Sequence, residues 1–363
     1  MSASSSPPRV RPATPADLPR LAAVAEATFR AAFADANDPA DIEAYVADAF
    51  APARLAQELA DPRVTYLVAD ADGELVGYAK LRAGTPDPAV RGARPVELER
   101  IYAARPGGGV GAALLRACLG AAAAAGHRTL WLGVWEHNLR AIAFYRREGF
   151  TPVGTHAFQL GSAAQTDVVM VRPLPEPVTA AWRHRDVRDG FEVAFLRPSL
   201  DGWTLTGASS LVEGGVAWTV RYTIAVDHGW RSRRAEVVTS SAAGTRTVAL
   251  DAVADGRWRV DGGAARHLDG LLDVDVEASA ATTTLPLRRL VLTAGQRADA
   301  PAAWVRLNGD VERLEQTYAR LDGDGQRYDY RAPAFDVRSR LVFAADGFVA
   351  DYPGIAVRVH DAR

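Results

Sequence analysis

The chain has 363 residues, 48% of them apolar and 24% charged, with a formal net charge of −2. That balance suits a soluble protein of two domains with sizeable cores. It argues against a dedicated nucleic-acid binder, which carries a basic face. Cys118 is the only cysteine, which excludes an intramolecular disulfide and a multi-cysteine metal site, and no metal site is expected.

In chain order, the opening MSASSSPPRV is rich in Ser and Pro and lacks an apolar core, so it reads as a disordered arm rather than a signal peptide. Arg9–Pro12 is a first strand. Thr14-Pro15-Ala16-Asp17 starts a helix running to Phe33, with Pro at its first position. Asp38-Pro39 opens a second helix through Phe50, and Pro52 to Leu59 forms a third. TYLVADADGELVGYAKL is a hairpin turned at Asp72-Gly73, and it carries Lys80, the only lysine, in a chain whose cations are otherwise arginine. That bias reads as codon composition. A strand at 96–103, a helix at 110–125 and a strand at 129–135 follow. Cys118 lies mid-helix among Leu114, Leu115 and Leu119, which marks a buried, inert thiol. A helix over 138–148 is capped by Asn138 and ended by Gly149, and strands near 151–160 and 166–172 close the segment.

Pro173, Pro175 and Pro177 then favour an extended linker over 175–181. The domains are expected at 9–174 and 182–360. The second carries short alternating strands with turns at Asp255-Gly256 and Asp346-Gly347, the pattern of an all-β antiparallel barrel or roll. RRLVLTA, from Arg288, is one of those expected strands. No window holds the roughly 20 apolar residues of a membrane helix. Without a span or an export signal, the expected compartment is the cytoplasm.

Gly107, Gly108, Gly109, Val110, Gly111 and Ala112 join a strand to a helix. Glycines let the backbone approach a ligand closely, and the unpaired amides of a helix start favour a diphosphate. No Gly-Lys-Ser/Thr follows, against a P-loop, and no nearby strand ends in the acidic residue that a dinucleotide ribose wants. Those absences favour an acyl-CoA site.

The segment resembles the GNAT acetyltransferases. Gly109-Val110-Gly111 matches their Gly-x-Gly, and Asn138-x-x-Ala141-x-x-Phe144-Tyr145-x-x-x-Gly149-Phe150 matches the second half of their motif. Pro106 stands where the family has Gln or Arg, with Arg105 one residue early, so the diphosphate grip is differently arranged. WLGVWE, ELERIY, GYAKL and GTHAFQLGSAAQTDVVM further resemble the bacterial spermine/spermidine acetyltransferase branch. The resemblance implies a mixed α/β sheet with helices on both faces and acetyl-CoA as co-substrate. The pantetheine arm would lie in a gap between splayed strands, along Ile101, Tyr102 and Ala103. It also implies that Tyr145 protonates the leaving thiolate and that Asn138 contacts the carrier as well as capping its helix.

An amine of pKa near ~10 is deprotonated in only about one molecule in 10³ at pH 7, so transfer gains from a base. Glu97 and Glu99 alternate on one strand face, and either serves as base or as an anchor for a cationic acceptor. His127 and His137 read as surface residues, and His156 as a lesser candidate for the amine site.

The second half resembles a bacterial family named for glycolipid binding, through HGWRSRRAEV, GRWRVDG, LDGLLDVDVE, TTTLPLRRL and DYPGI. It departs from that family's Thr-Asn-Thr at Thr283. Trp230, Arg231, Arg233, Trp258, Arg288 and Arg289 carry that resemblance, and arginine forks beside aromatic faces suit an anionic or amphiphilic ligand. The expected protein is therefore an N-acetyltransferase acting on a primary amine, such as a polyamine, in a ternary complex, with a ligand-binding β-domain. The rival is a non-catalytic binder of acyl-CoA and glycolipid. In a third arrangement the acceptor is the amphiphile held by the β-domain.

Overall fold

In the computed structural model the chain divides into two units, Met1–Glu176 and Pro177–Arg363. Residues 8–33, 38–105, 108–160, 163–321, 326–335 and 337–359 are described. The stretch expected as linker spans the division, and Val178 already opens a strand.

The first unit holds strands β1 (Arg9–Pro12), β2 (Val64–Ala71), β3 (Glu74–Arg82), β4 (Pro95–Ala103), β5 (Thr129–Trp135), β6 (Thr151–Leu160) and β7 (Ala163–Pro173). Its helices are α1 (Leu18–Phe33), α2 (Pro39–Ala49), α3 (Pro52–Ala60), α4 (Val110–Ala124) and α5 (Leu139–Arg147). Local chemistry sets the helix starts. Thr14 and Asp17 close a capping box before α1, and Asp38 caps α2 through the Ala40 amide at 2.7 Å.

The strands form one mixed sheet in the order β1-β2-β3-β4-β5-β7-β6. Only β4 and β5 run parallel, and they pair at three positions alone: Pro95 with Thr129, Val96 with Leu130, and Glu97 with Trp131. Beyond Glu97 the two strands part. On its other edge β4 pairs with β3, where Lys80 faces Arg100 and Leu81 faces Leu98. Glu99 is thus the extra residue of a β-bulge.

Neighbouring β3 residues show which helices cover which face. Tyr78 packs with Leu21, Phe29, Val46 and Phe50 of the α1–α3 layer. A Cβ on Gly77 would instead meet Val110 and Leu114 of α4 at 3.0 and 3.1 Å, and the Tyr102 carbonyl at 2.7 Å. Helix α4 docks this closely because residue 77 has no side chain.

The second unit opens with β8 (Val178–His184), β9 (Asp189–Ser199), β10 (Gly202–Glu213), β11 (Val216–Asp227), β12 (Ser232–Ser241) and β13 (Gly244–Ala252). Then come β14 (Trp258–Val260), β15 (Gly263–Ala264), β16 (Asp273–Val276), helix α6 (Thr284–Leu290), β17 (Arg297–Asp299), β18 (Ala302–Val305) and β19 (Val311–Leu314). The last are β20 (Thr317–Arg320), β21 (Gln326–Ala332), β22 (Val337–Phe343), β23 (Val349–Tyr352) and β24 (Ala356–Arg358).

Fourteen of these strands form one antiparallel sheet with β15 at one end and β17 at the other, while β16, β18 and β19 form a separate sheet of three. The closed barrel expected from the alternating pattern is not seen among the described residues, because the two end strands do not pair with each other. Laid flat, such a sheet would span about 60 Å. Yet Val237 and Leu250 near one end share a single core cluster with Tyr328 and Leu341 near the other. The sheet therefore curls around that core without closing. The expected strand from Arg288 is also corrected: Arg288, Arg289 and Leu290 end helix α6, and Val291 stops it with φ +46°.

Gly77→Ala is expected to destabilise the first unit by about 1–3 kcal/mol through overpacking. Urea unfolding should show an earlier first-unit transition with the second-unit signal unmoved. An unshifted transition would mean that α4 does not depend on this close approach.

Candidate active site

The glycine-rich turn leads from the end of β4 into α4. Pro106 and Gly107 lie outside the described residues. Gly109 caps the helix with φ +74°, a left-handed conformation that glycine adopts without strain. The first helical bond at this end runs from the Ala113 amide to the Gly109 carbonyl. Among the described residues, the amides of Val110, Gly111 and Ala112 are therefore the unspent donors of the helix start. Around Gly108, Gly109 and Gly111 a Cβ would meet nothing within 4 Å, so the cradle is open to a ligand. Beside it, Ile101, Tyr102 and Ala103 lie beyond the last β4–β5 pair; Tyr102 turns its backbone groups to β3, and Ile101 and Ala103 turn theirs to the edge that β5 leaves open. A diphosphate needs clustered amides with room above them, and an amide-bearing arm needs an unpaired strand edge. The residues present meet both needs.

The second half of the motif builds the other wall. Asn138 caps α5 by accepting the Ala141 amide at 3.1 Å, which gives its oxygen a structural task. Tyr145, one turn from the end of α5, points inward and is 8% exposed. Its ring meets Phe150 edge-on at 5.5 Å and Phe144 at 5.3 Å. Its hydroxyl has no hydrogen-bond partner among the described residues. Burial pushes its pKa above the usual phenol range, so the hydroxyl stays protonated. Cys118 lies buried in α4, and burial likewise pushes its thiol up, which makes it inert.

The bulge in β4 shapes the opposite face, where Glu97, Glu99, Arg100 and Tyr102 share the side of α1–α3. The two carboxylates have different surroundings. Glu99 accepts Lys80 Nζ at 2.7 Å and also the Nε of Arg82. Burial alone would raise the Glu99 pKa, but Lys80 and Arg82 hold it below the ordinary value. Lys80 is fully buried and bonds Glu58 at 2.7 Å, and Tyr66 also donates to Glu58. Arg82 closes the ring with a bond to Glu58 at 2.9 Å.

Glu97 stands beside this network with neither hydrogen bond nor ion pair among the described residues. Burial, reinforced by repulsion from Glu99, pushes its pKa up to about 7. Nearby, His156 on β6 bonds Asp87 at 3.1 Å through Nδ1 and faces Asp167 of β7 at 3.7 Å through Nε2. Burial raises the Asp167 pKa, partly offset by His156.

Sequence reasoning missed Glu58, Asp87 and Asp167, and did not connect Lys80 to Glu99. The one available signal was a single lysine kept among 42 cations. His127 is half-exposed and His137 exposed, away from these contacts.

Of the six singled-out residues of the second unit, Trp230 and Arg288 meet, and the other four have separate surroundings. Trp230 stacks on Trp203 at 5.3 Å, with the Arg288 guanidinium 4.7 Å above it. Arg231 is exposed, and Arg233 pairs with Asp227. Trp258 is core, 2% exposed, and donates to the Leu271 carbonyl at 3.0 Å. Arg289 neutralises Asp273, which is 1% exposed.

Residues 26–150 match the family described as "Acetyltransferase (GNAT) family", and residues 179–358 the family described as "Putative glycolipid-binding". An uncharacterized N-acetyltransferase of Mycobacterium tuberculosis strain H37Rv is 41% identical over 160 residues, 44% of this chain and 98% of that protein. Among solved structures, a PaiA N-acetyltransferase from Thermoplasma acidophilum in complex with coenzyme A is similar. It is 22% identical over 48% of this chain and 99% of that one, with a TM-score of 0.39. A DUF1089 family protein from Pseudomonas aeruginosa is also similar, at 29% identity over 52% of this chain and 95% of that one, with a TM-score of 0.39. Through its first unit, this chain belongs to the GNAT family of N-acetyltransferases, enzymes that use acetyl-CoA.

Proposed function

We propose that the first unit transfers acetyl from acetyl-CoA to a primary amine by direct attack in a ternary complex, with Glu97 as base and Tyr145 as acid. Bound acetyl-CoA supplies the activated acetyl group. Freeing an amine of pKa near ~10 from its proton costs about 4 kcal/mol at pH 7. Glu97 takes that proton. A carboxylate with a pKa of about 7 is balanced between holding and releasing a proton at neutral pH, the condition for an efficient general base. Amides on the open edge of β4 stabilise charge developing on the acetyl oxygen. The Tyr145 hydroxyl gives its proton to the departing sulfur.

One observation carries this division of labour. In the cluster of Glu58, Asp87, Glu97, Glu99 and Asp167, only Glu97 has no partner among the described residues. Glu99, fixed by Lys80 and Arg82, keeps the bulge and repels the Glu97 charge. Asp87 and Asp167 add negative charge on the same face. That supports a cationic acceptor, and with the resemblance to the spermine/spermidine branch it supports a polyamine. For the second unit we propose ligand binding.

Thiol release with acetyl-CoA, measured against polyamines, amino sugars and amino acids, tests the reading. Turnover on an amine is expected, and none on any amine despite acetyl-CoA binding would leave an acyl-CoA-binding module. Tyr145→Phe should lower kcat about 10²–10³-fold with little change in KM, because only the leaving step loses its acid. The wild-type pH profile of kcat/KM should rise through a limb near pH 7 as Glu97 loses its proton. Glu97→Gln should abolish that limb and lower the plateau about 10²–10⁴-fold. A limb retained in the variant would assign the base elsewhere.

A further inference from the structure

The second unit contains a cavity of about 380 Å³, in the size range of small-molecule sites and far larger than the packing defects of a folded interior. None of the six residues singled out from the sequence lines it.

The charges of its wall do not balance. Among the described residues the lining holds two cations, Arg188 and Arg306, and three carboxylates, Glu213, Asp275 and Glu277. Arg188 lies 3.3 Å from Glu213, and Arg306 faces Glu277 at 3.9 Å. Arg306 also meets Glu312 at 3.3 Å. Asp275 is the carboxylate left over, with no ion pair among the described residues. Its Oδ1 accepts the Val276 amide at 2.9 Å and the Thr282 hydroxyl, and Oδ2 accepts no bond among the described residues. Burial pushes its pKa up to about 6, which still leaves it ionised at pH 7. Glu192, close enough to repel it, is fully buried and has no arginine or lysine partner among the described residues.

The fold sets this spare carboxylate among aromatic rings. Asp275 on β16 pairs with Trp304 on β18 in parallel register, so both side chains leave the small sheet on one face. Arg306 already lies 4.9 Å over Trp304, a cation on one of these rings. Tyr330 of β21 and Tyr352 of β23 bring two more rings to the lining, edge to face at 5.7 Å. Burial, and after it the Asp275 charge, pushes the Tyr352 phenol up, so the carboxylate lies beside that ring.

An anion entering this cavity meets a surplus of negative charge. A neutral molecule leaves the Asp275 charge unmatched in a poorly solvated wall. One protonated amine meets both conditions: its N–H groups bond Oδ2, its charge balances the wall, and its body lies against the rings.

We propose that this cavity binds an organic monocation, a protonated amine with an apolar body, with Asp275 as its charge partner and Trp304, Tyr330 and Tyr352 around it. The inference rests on the ligand binding proposed for the second unit, to which it gives a chemical class, and stands whether or not the first unit acetylates amines.

Calorimetric titration of the full chain, without acetyl-CoA, with benzylammonium, benzyl alcohol and benzoate tests it, because the three share a ring and differ in charge. Saturable binding of benzylammonium is expected, at least tenfold tighter than that of the other two. Asp275→Asn should weaken it at least tenfold, and Val337→Trp, which fills the cavity from its rim, should abolish it, with circular dichroism verifying that both variants are folded. The same binding should persist in Glu97→Gln, which separates it from the amine site of the first unit. The proposal is overturned by no saturable heat from benzylammonium, or by an affinity unchanged in folded Asp275→Asn. Binding lost in Glu97→Gln but kept in Asp275→Asn belongs to the first unit and overturns it too. Benzyl alcohol or benzoate binding as tightly, and lost in Val337→Trp, would keep ligand binding by the second unit and overturn its cationic class.

Discussion

Strands β4 and β5 begin as paired neighbours and stop pairing after Glu97, and the arrangement of the first unit follows from that interruption. A parallel ladder continued to Ala103 would spend the amides of Ile101 and Ala103 on β5 and close the sheet. Interrupted, it leaves an open edge flanked by two helical layers. The α4–α5 side brings amides, glycines and the Tyr145 hydroxyl. The α1–α3 side brings carboxylates. Chemistry that needs an acid and a base at opposite ends of one bond gains from such a slit, because each group is tuned in its own surroundings.

The carboxylate side is tuned by a buried ion cluster rather than by hydrophobic packing. Lys80, Glu58, Glu99 and Arg82 satisfy one another, and Arg100 is held over Phe50 at 4.9 Å and against Tyr45 at 3.3 Å. Clusters of this kind add little net stability, since desolvation offsets attraction. Their use here is geometric. Glu99 occupies the bulge and is fixed there, so its charge acts constantly on Glu97, which shares the face and has no cation of its own.

Much of the first unit was legible because its signals are local. Asp72-Gly73 turns the hairpin with φ of +53° and +85°, Asn138 caps α5, and the Gly109-Val110-Gly111 turn starts α4. Each is written within a few residues. The choice between Glu97 and Glu99 was not, because it depends on residues 58, 80 and 82, which only the folded sheet brings together. In the second unit the alternation identified antiparallel strands but not their closure, since alternation sets which face is buried and says nothing about whether end strands meet. The arginines and tryptophans are brought together at one place, Arg288 over Trp230, and elsewhere have other partners. Arg289 is spent on Asp273 and Trp258 on the core, partnerships invisible in sequence.

The buried lysine has one more consequence. Acetyl-CoA is a reactive thioester, and exposed lysine amines are the ordinary side-chain targets of uncatalysed acetylation. This chain has one lysine, Lys80, fully buried and held by two carboxylates. Its surface cations are guanidiniums, which remain protonated at any physiological pH. No exposed lysine side chain of this chain competes with the acceptor for acetyl, and its surface guanidiniums keep their charge in the presence of the co-substrate.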